Sequence, residues 1–208
     1  MSERIDLKGL ERKAWTSYLQ DGLLDIFLGL SLLAMGVILL VPDAGVSDSA
    51  GLLIFVGLLV LALLILGAGK RYVTIPRIGR AEFGEERKEK KRKAGVYVSA
   101  AFLLLVLLLV LGRTVTDTLF GPVLGEVVLT IGTGVAIAAA IWLAAYFKDF
   151  PRGYLYGALY GIAFSCAFLF DEPIVFVVAG ALILLIGLTV FIRFLRKYPA
   201  PEEVKPWA

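Results

Sequence analysis

Between two leucine-rich runs the chain carries KRYVTIPRIGRAEFGEERKEKKRK, residues 70–93, and no other stretch constrains the fold as strongly. It holds Lys70, Arg71, Arg77, Arg80, Arg87, Lys88, Lys90, Lys91, Arg92 and Lys93, ten of the chain's 21 lysines and arginines. Short segments rich in Lys and Arg stay on the cytoplasmic side of a membrane, so this stretch orients the apolar runs before and after it. The apolar runs dominate the composition. At 59% hydrophobic residues and a mean hydropathy of +0.86, the chain is far more apolar than a soluble domain, in which about 45–50% is usual.

Spans of roughly 20 apolar residues, the length needed to cross a bilayer, are expected at about residues 22–41, 50–69, 94–112, 123–147, 153–170 and 174–195. The basic residues agree with this division. Residues 1–21 hold Arg4, Lys8, Arg12 and Lys13, the turn between the fourth and fifth runs holds Lys148 and Arg152, and the C-terminal end holds Arg193, Arg196, Lys197 and Lys205. Only Arg113 is left for the three opposite connections, which instead carry Asp43, Asp48, Asp117, Asp171 and Glu172. The chain therefore reads as an all-α, polytopic membrane helix bundle, a single membrane domain of six transmembrane helices. Both termini, residues 70–93 and the tail 196–208 are expected on the cytoplasmic face of a cell membrane.

Several local features refine the division. Leu7, Leu10, Ala14 and Tyr18 recur at helical spacing beside Trp15, which suits either an interfacial amphipathic helix or a cytoplasmic extension of the first span. The segment MSERIDLKGLERKAW lacks an apolar core followed by a cleavage site, so the first span is expected to act as its own insertion signal. Within the basic stretch, YVTI and RAEF flank Pro76 and Gly79, a spacing that allows a short hairpin at the membrane surface. From Glu85 the pairs Glu86–Lys90 and Glu89–Lys93 favour a charged helix leading into the third span. That span, with AFLLLVLLLVL, is apolar on every side and belongs at the periphery.

Packing signals follow glycine. Gly153, Gly157, Gly161 and Ser165 recur every four residues along the fifth span, a small-xxx-small series that admits a close neighbour. The neighbour is either the alanine- and glycine-rich fourth span or a second copy in a homo-oligomer, and contact within one chain is favoured. Gly22, Gly29 and Gly36 in the first span, and Gly180 and Gly187 in the sixth, repeat every seven residues and suggest left-handed internal packing.

Chemistry-bearing motifs are few. There is no histidine, no phosphate-binding glycine loop and no nucleophile elbow, and the one cysteine, Cys166, lies mid-span, so neither catalysis, a cofactor nor a metal site is expected. The run QDGLLD resembles a fragment of the aspartate motif of the CDP-alcohol phosphotransferases, whose other aspartates this chain lacks. Asp21 and Asp25 share a face at the inner end of the first span, while Glu126 opens the fourth. The hydrocarbon core of about 30 Å separates them. Thr130 and Thr133 align with Glu126, and with Tyr156 and Tyr160 they would line a mildly polar path between the fourth and fifth spans.

Three functions follow from these features. The first is a small passive transporter or channel-like protein for a neutral or cationic solute, using that path and its binding residues Glu126, Thr130, Thr133, Tyr156, Tyr160, Asp21 and Asp25. The second is a non-catalytic module whose basic cytoplasmic surface, with Arg71, Arg77 and Arg80, binds anionic lipid headgroups or a partner protein. The third is a membrane enzyme using Asp21, Asp25 and cytoplasmic arginines on a phosphate-bearing lipid, which a cluster of Asp21, Asp25 and Asp149 around a metal would support. Membrane lipid is the expected partner; nucleic acid is not, because one cytoplasmic segment accounts for the basic excess.

Overall fold

The computed structural model describes residues 20–42, 45–78 and 85–199, and all their regular structure is helical. The helices are α1 (Leu23–Leu40), α2 (Asp48–Ala68), a π-helical turn (Gly69–Thr74) running into α3 (Ile75–Ile78), α4 (Glu85–Phe120), α5 (Pro122–Lys148), α6 (Arg152–Leu169) and α7 (Ile174–Lys197). Four of these segments are long and apolar enough to cross a membrane: Leu23–Leu40, Ser49–Ile78, Pro122–Lys148 and Ile174–Lys197. The helices over the expected third and fifth spans are not among the four. Helix α6 carries Arg152, Tyr154, Tyr156 and Tyr160, which lower its hydropathy, whereas α4 holds, after nine consecutive charged residues, the uncharged apolar run 94–111.

The hairpin expected from YVTI and RAEF does not form on its first arm. Tyr72–Thr74 lie in the π turn and Ile75 begins α3, while Gly79, Arg80 and RAEF fall outside the described residues. The second helix thus continues nine residues past Gly69, to Ile78. Proline within a helix has no N–H to donate and its ring clashes with the carbonyl four residues back. Here the turn before Pro76 widens, with the Ile75 N–H bonding the Lys70 carbonyl in the five-residue pattern of a π turn. Helix α4 likewise runs to Phe120, through the GRTVTDTLF expected as a connection. The amphipathic segment built on Leu7, Leu10, Ala14, Trp15 and Tyr18 lies outside the described residues.

Neighbouring helices are antiparallel, in the spatial order α2, α1, α7, α6, α5, α4. Among the described residues, the first and last long helices are therefore partners. The α1 window is 39% buried and the α2 window 11%, so α1 is interior while α2 turns Leu53, Leu61 and Leu64 outward. Helix α4 packs chiefly on α5, leaving Leu103, Leu104 and Leu119 exposed, as a lipid-facing edge requires. The core lies where α1, α6 and α7 meet, around Leu32, Tyr156, Ala163, Phe176 and Ile183.

Glycines bring the inner helices together. A Cβ on Gly29 would lie 2.7 Å from the Leu184 nitrogen of α7, and one on Gly187 would lie 2.7 Å from the Ile26 nitrogen of α1. In α6, a Cβ on Gly161 would lie 2.7 Å from the Gly134 carbonyl oxygen of α5, Gly157 faces the Trp142 ring, and Gly134 sits against Ser165. The four-residue glycine series thus serves contact within one chain.

Candidate functional site

One end of the bundle gathers the start of α1, the π turn, the α5–α6 turn and the end of α7. Asp21, just ahead of α1, is fully buried. Its Oδ1 accepts the Leu23 N–H at 3.2 Å, which caps the new helix, and its Oδ2 accepts the Thr74 hydroxyl at 2.6 Å. The Lys70 ammonium lies 2.6 Å from the same Oδ2. Lys70 and Thr74 reach one carboxylate because the helix continues past Gly69, and Gly69 itself leaves room for the Leu23 side chain.

One turn further, Asp25 is also fully buried, and Arg152 of α6 places its Nη2 3.2 Å from Asp25 Oδ2. The buried Tyr156 hydroxyl lies beside this carboxylate and interacts with it electrostatically. Neither Asp25 oxygen nor the Tyr156 hydroxyl has a well-formed hydrogen bond. Two acids and two bases therefore meet within the helix ends with no net charge. Pairing of this kind is what retaining ions at a buried site demands, since an uncompensated one costs several kcal/mol.

Arg152 also borders a cavity of about 660 Å³ at this end. Arg193 and Lys197 of α7 line it with Asp149, Gln20 and the tyrosines Tyr146, Tyr154 and Tyr198. Three cations thus face one acid. Asp149, in a left-handed conformation at φ 51°, ends α5 and turns the chain. That turn carries the buried Phe150 into the core and sets Arg152 at the start of α6.

The residues expected to line a path between the fourth and fifth spans face different neighbours. Tyr156 points toward Asp25, and the Tyr160 hydroxyl donates to the Leu28 carbonyl of α1 at 2.6 Å. Thr133 is buried but bonds its own helix at the Leu129 carbonyl, Thr130 is half-buried, and Glu126 is exposed at the far end. Gly153, Gly157, Gly161 and Ser165 form the α5–α6 seam. Of the headgroup candidates, Arg71 is exposed and Arg77 donates to the Val73 carbonyl at 3.1 Å, while Arg80 lies outside the described residues. Asp149 borders the cavity, whereas Lys70 and Arg152 engage Asp21 and Asp25, and no group of three metal-ligating side chains forms among the described residues.

Sequence reasoning singled out Asp21 and Asp25 but not their partners Lys70, Thr74 and Arg152, nor the cavity. Lys70 and Arg152 read as orienting charges because each stands at the edge of an apolar run. The available signal was their count: two carboxylates in one helix end call for two cations at the same depth. Compared with known protein families, with curated proteins and with solved structures, the chain matches none.

Proposed function

We propose that this chain is a six-span membrane protein with both termini and residues 70–93 in the cytoplasm, acting as a non-catalytic module that binds the phosphate-bearing headgroup of an anionic lipid. The carrying observation is the cavity bordered by Arg152, Arg193 and Lys197. It opens at the end that gathers the basic residues, next to Tyr146 and Tyr154, which are exposed and suited to headgroup depth. Guanidinium groups bind phosphate oxygens in pairs, which a diffuse lysine charge does not reproduce. Arg71 and the helix-starting charges of α4 add attraction of about 1 kcal/mol per base near an anionic leaflet.

A passive path for a small solute has less support, because Tyr160 is bonded to Leu28 and Gly134 and Gly161 close the α5–α6 contact. Orientation is tested with cysteines placed at Ser47 and Lys88 of a Cys166→Ala protein. Only position 47 should react with an impermeant reagent from outside, and reaction at position 88 in intact cells would reverse the topology. The binding test is native mass spectrometry of protein extracted with its lipids. Arg193→Gln with Lys197→Gln should retain several-fold less anionic phospholipid than the parent; equal retention would remove the cavity as the binding site.

A further inference from the structure

Arg152 stands where two demands meet. Its guanidinium is 28% exposed and borders the cavity, yet it compensates an Asp25 carboxylate with no exposure at all. The groups facing Asp25 are Asp21 ahead of α1, Lys70 from the π turn, and Arg152 and Tyr156 from α6. Helix α7 brings Gly187 against the Asp25 Cβ, which would lie 2.9 Å from a Cβ added at Gly187. Lys70 is drawn to Asp21 at 2.6 Å, which leaves Arg152 as the close cation of Asp25 among the described residues.

We infer that the cavity takes up a phosphodiester anion together with a proton, which Asp25 receives as the anion draws Arg152 away. The inference rests on the cavity being an anionic-headgroup site. A phosphate group between Arg193 and Lys197 is a better-solvated, bidentate partner for the Arg152 guanidinium than one oxygen of a buried carboxylate. A buried carboxylate that loses its cation is neutralised by protonation instead of remaining charged. The proton comes from cytoplasmic water and forms an O–H bond on Asp25. No other bond changes, and the anion and proton enter as a neutral pair. The Tyr156 hydroxyl, which has no well-formed hydrogen bond, then has a carboxylic acid donor beside it.

Uptake of one proton per anion makes binding tighter at low pH and weaker by up to about tenfold per unit as pH rises. The test is calorimetric titration of the detergent-purified full chain with short-chain phosphatidylglycerol, in two buffers of different ionisation enthalpy. Dimethyl phosphate forms the second arm, because both phosphodiesters keep a single charge over about pH 5 to 8. The expected result at the upper end of that range is close to one proton taken up per lipid bound, with an infrared band of a protonated carboxyl group appearing on binding. Asp25→Asn should bind with no proton uptake and no pH dependence. Equal uptake with dimethyl phosphate keeps the coupling and assigns it to a soluble anion. Lipid binding without proton uptake or the infrared band overturns the coupling and leaves the cavity reading standing. No binding at any pH overturns both. If Asp25→Asn does not fold, the proton count and the infrared band of the parent protein decide the matter alone.

Discussion

The α1–α7 seam and the α5–α6 seam are both built on glycine, but they differ in what the glycines touch. Along α1–α7, added Cβ atoms on Gly22, Gly29, Gly180 and Gly187 would each lie within 2.7–2.8 Å of a backbone nitrogen across the seam. Along α5–α6, Gly161 meets the Gly134 carbonyl, whereas Gly157 meets the Trp142 ring and Gly153 the Ala145 methyl. Helices in lipid gain little from apolar burial against each other, so close packing and a few hydrogen bonds hold them. A backbone cannot turn away from an added atom, but a side chain can. The first seam is therefore rigid at these four glycines, while Gly36 meets the Val177 side chain. In the second seam the Ala145 methyl is as fixed as the backbone, and Gly157 has the adjustable contact, the Trp142 ring.

The same added methyl separates the two. Gly29→Ala should destabilise by about 3 kcal/mol, because α1 and α7 must part to admit it. Thermal unfolding in detergent followed by size-exclusion chromatography reads this, and a parent-like melting temperature would show the seam to be compliant. Gly157→Ala should cost about 1 kcal/mol, since Trp142 swings aside and gives up its 2.7 Å bond to the Tyr154 carbonyl. Tryptophan emission should shift with it; an unchanged spectrum together with a loss as large as that of Gly29→Ala would make the seams equivalent. Gly67→Leu should stay within about 0.5 kcal/mol of the parent, because nothing lies within 4 Å of the added Cβ on the α2 surface. A large loss there would mean that α2 has a partner on its outer face.

Much of the helical division was legible in the chain. Pro42, Pro122, Pro151 and Pro173 stand at or beside helix boundaries because proline ends or begins helices, and the four-residue glycine series pointed to the α5–α6 seam. The region from Lys70 to Ile78 was not legible. Its three bases, proline and following glycine carry the composition of a loop, and the helical course brings Lys70 and Thr74 together on the buried Asp21 carboxylate. The pairing of α1 with α7 was half legible: both carry a seven-residue glycine period, but period alone does not say which helices share a seam. For the candidate site, the acids were visible and their cations were not, because a base beside an apolar run serves orientation and pairing alike.

The pairing of the first long helix with the last also has a consequence for biosynthesis. When Gly29 enters the membrane, about 150 residues must still be made before Gly180 arrives, which takes on the order of 10 s at typical elongation rates. Lys70 becomes available to Asp21 early in that interval, but Arg152 reaches Asp25 only after most of it has passed. Until then the nascent α1 keeps an open glycine groove and a carboxylate without its Arg152 partner.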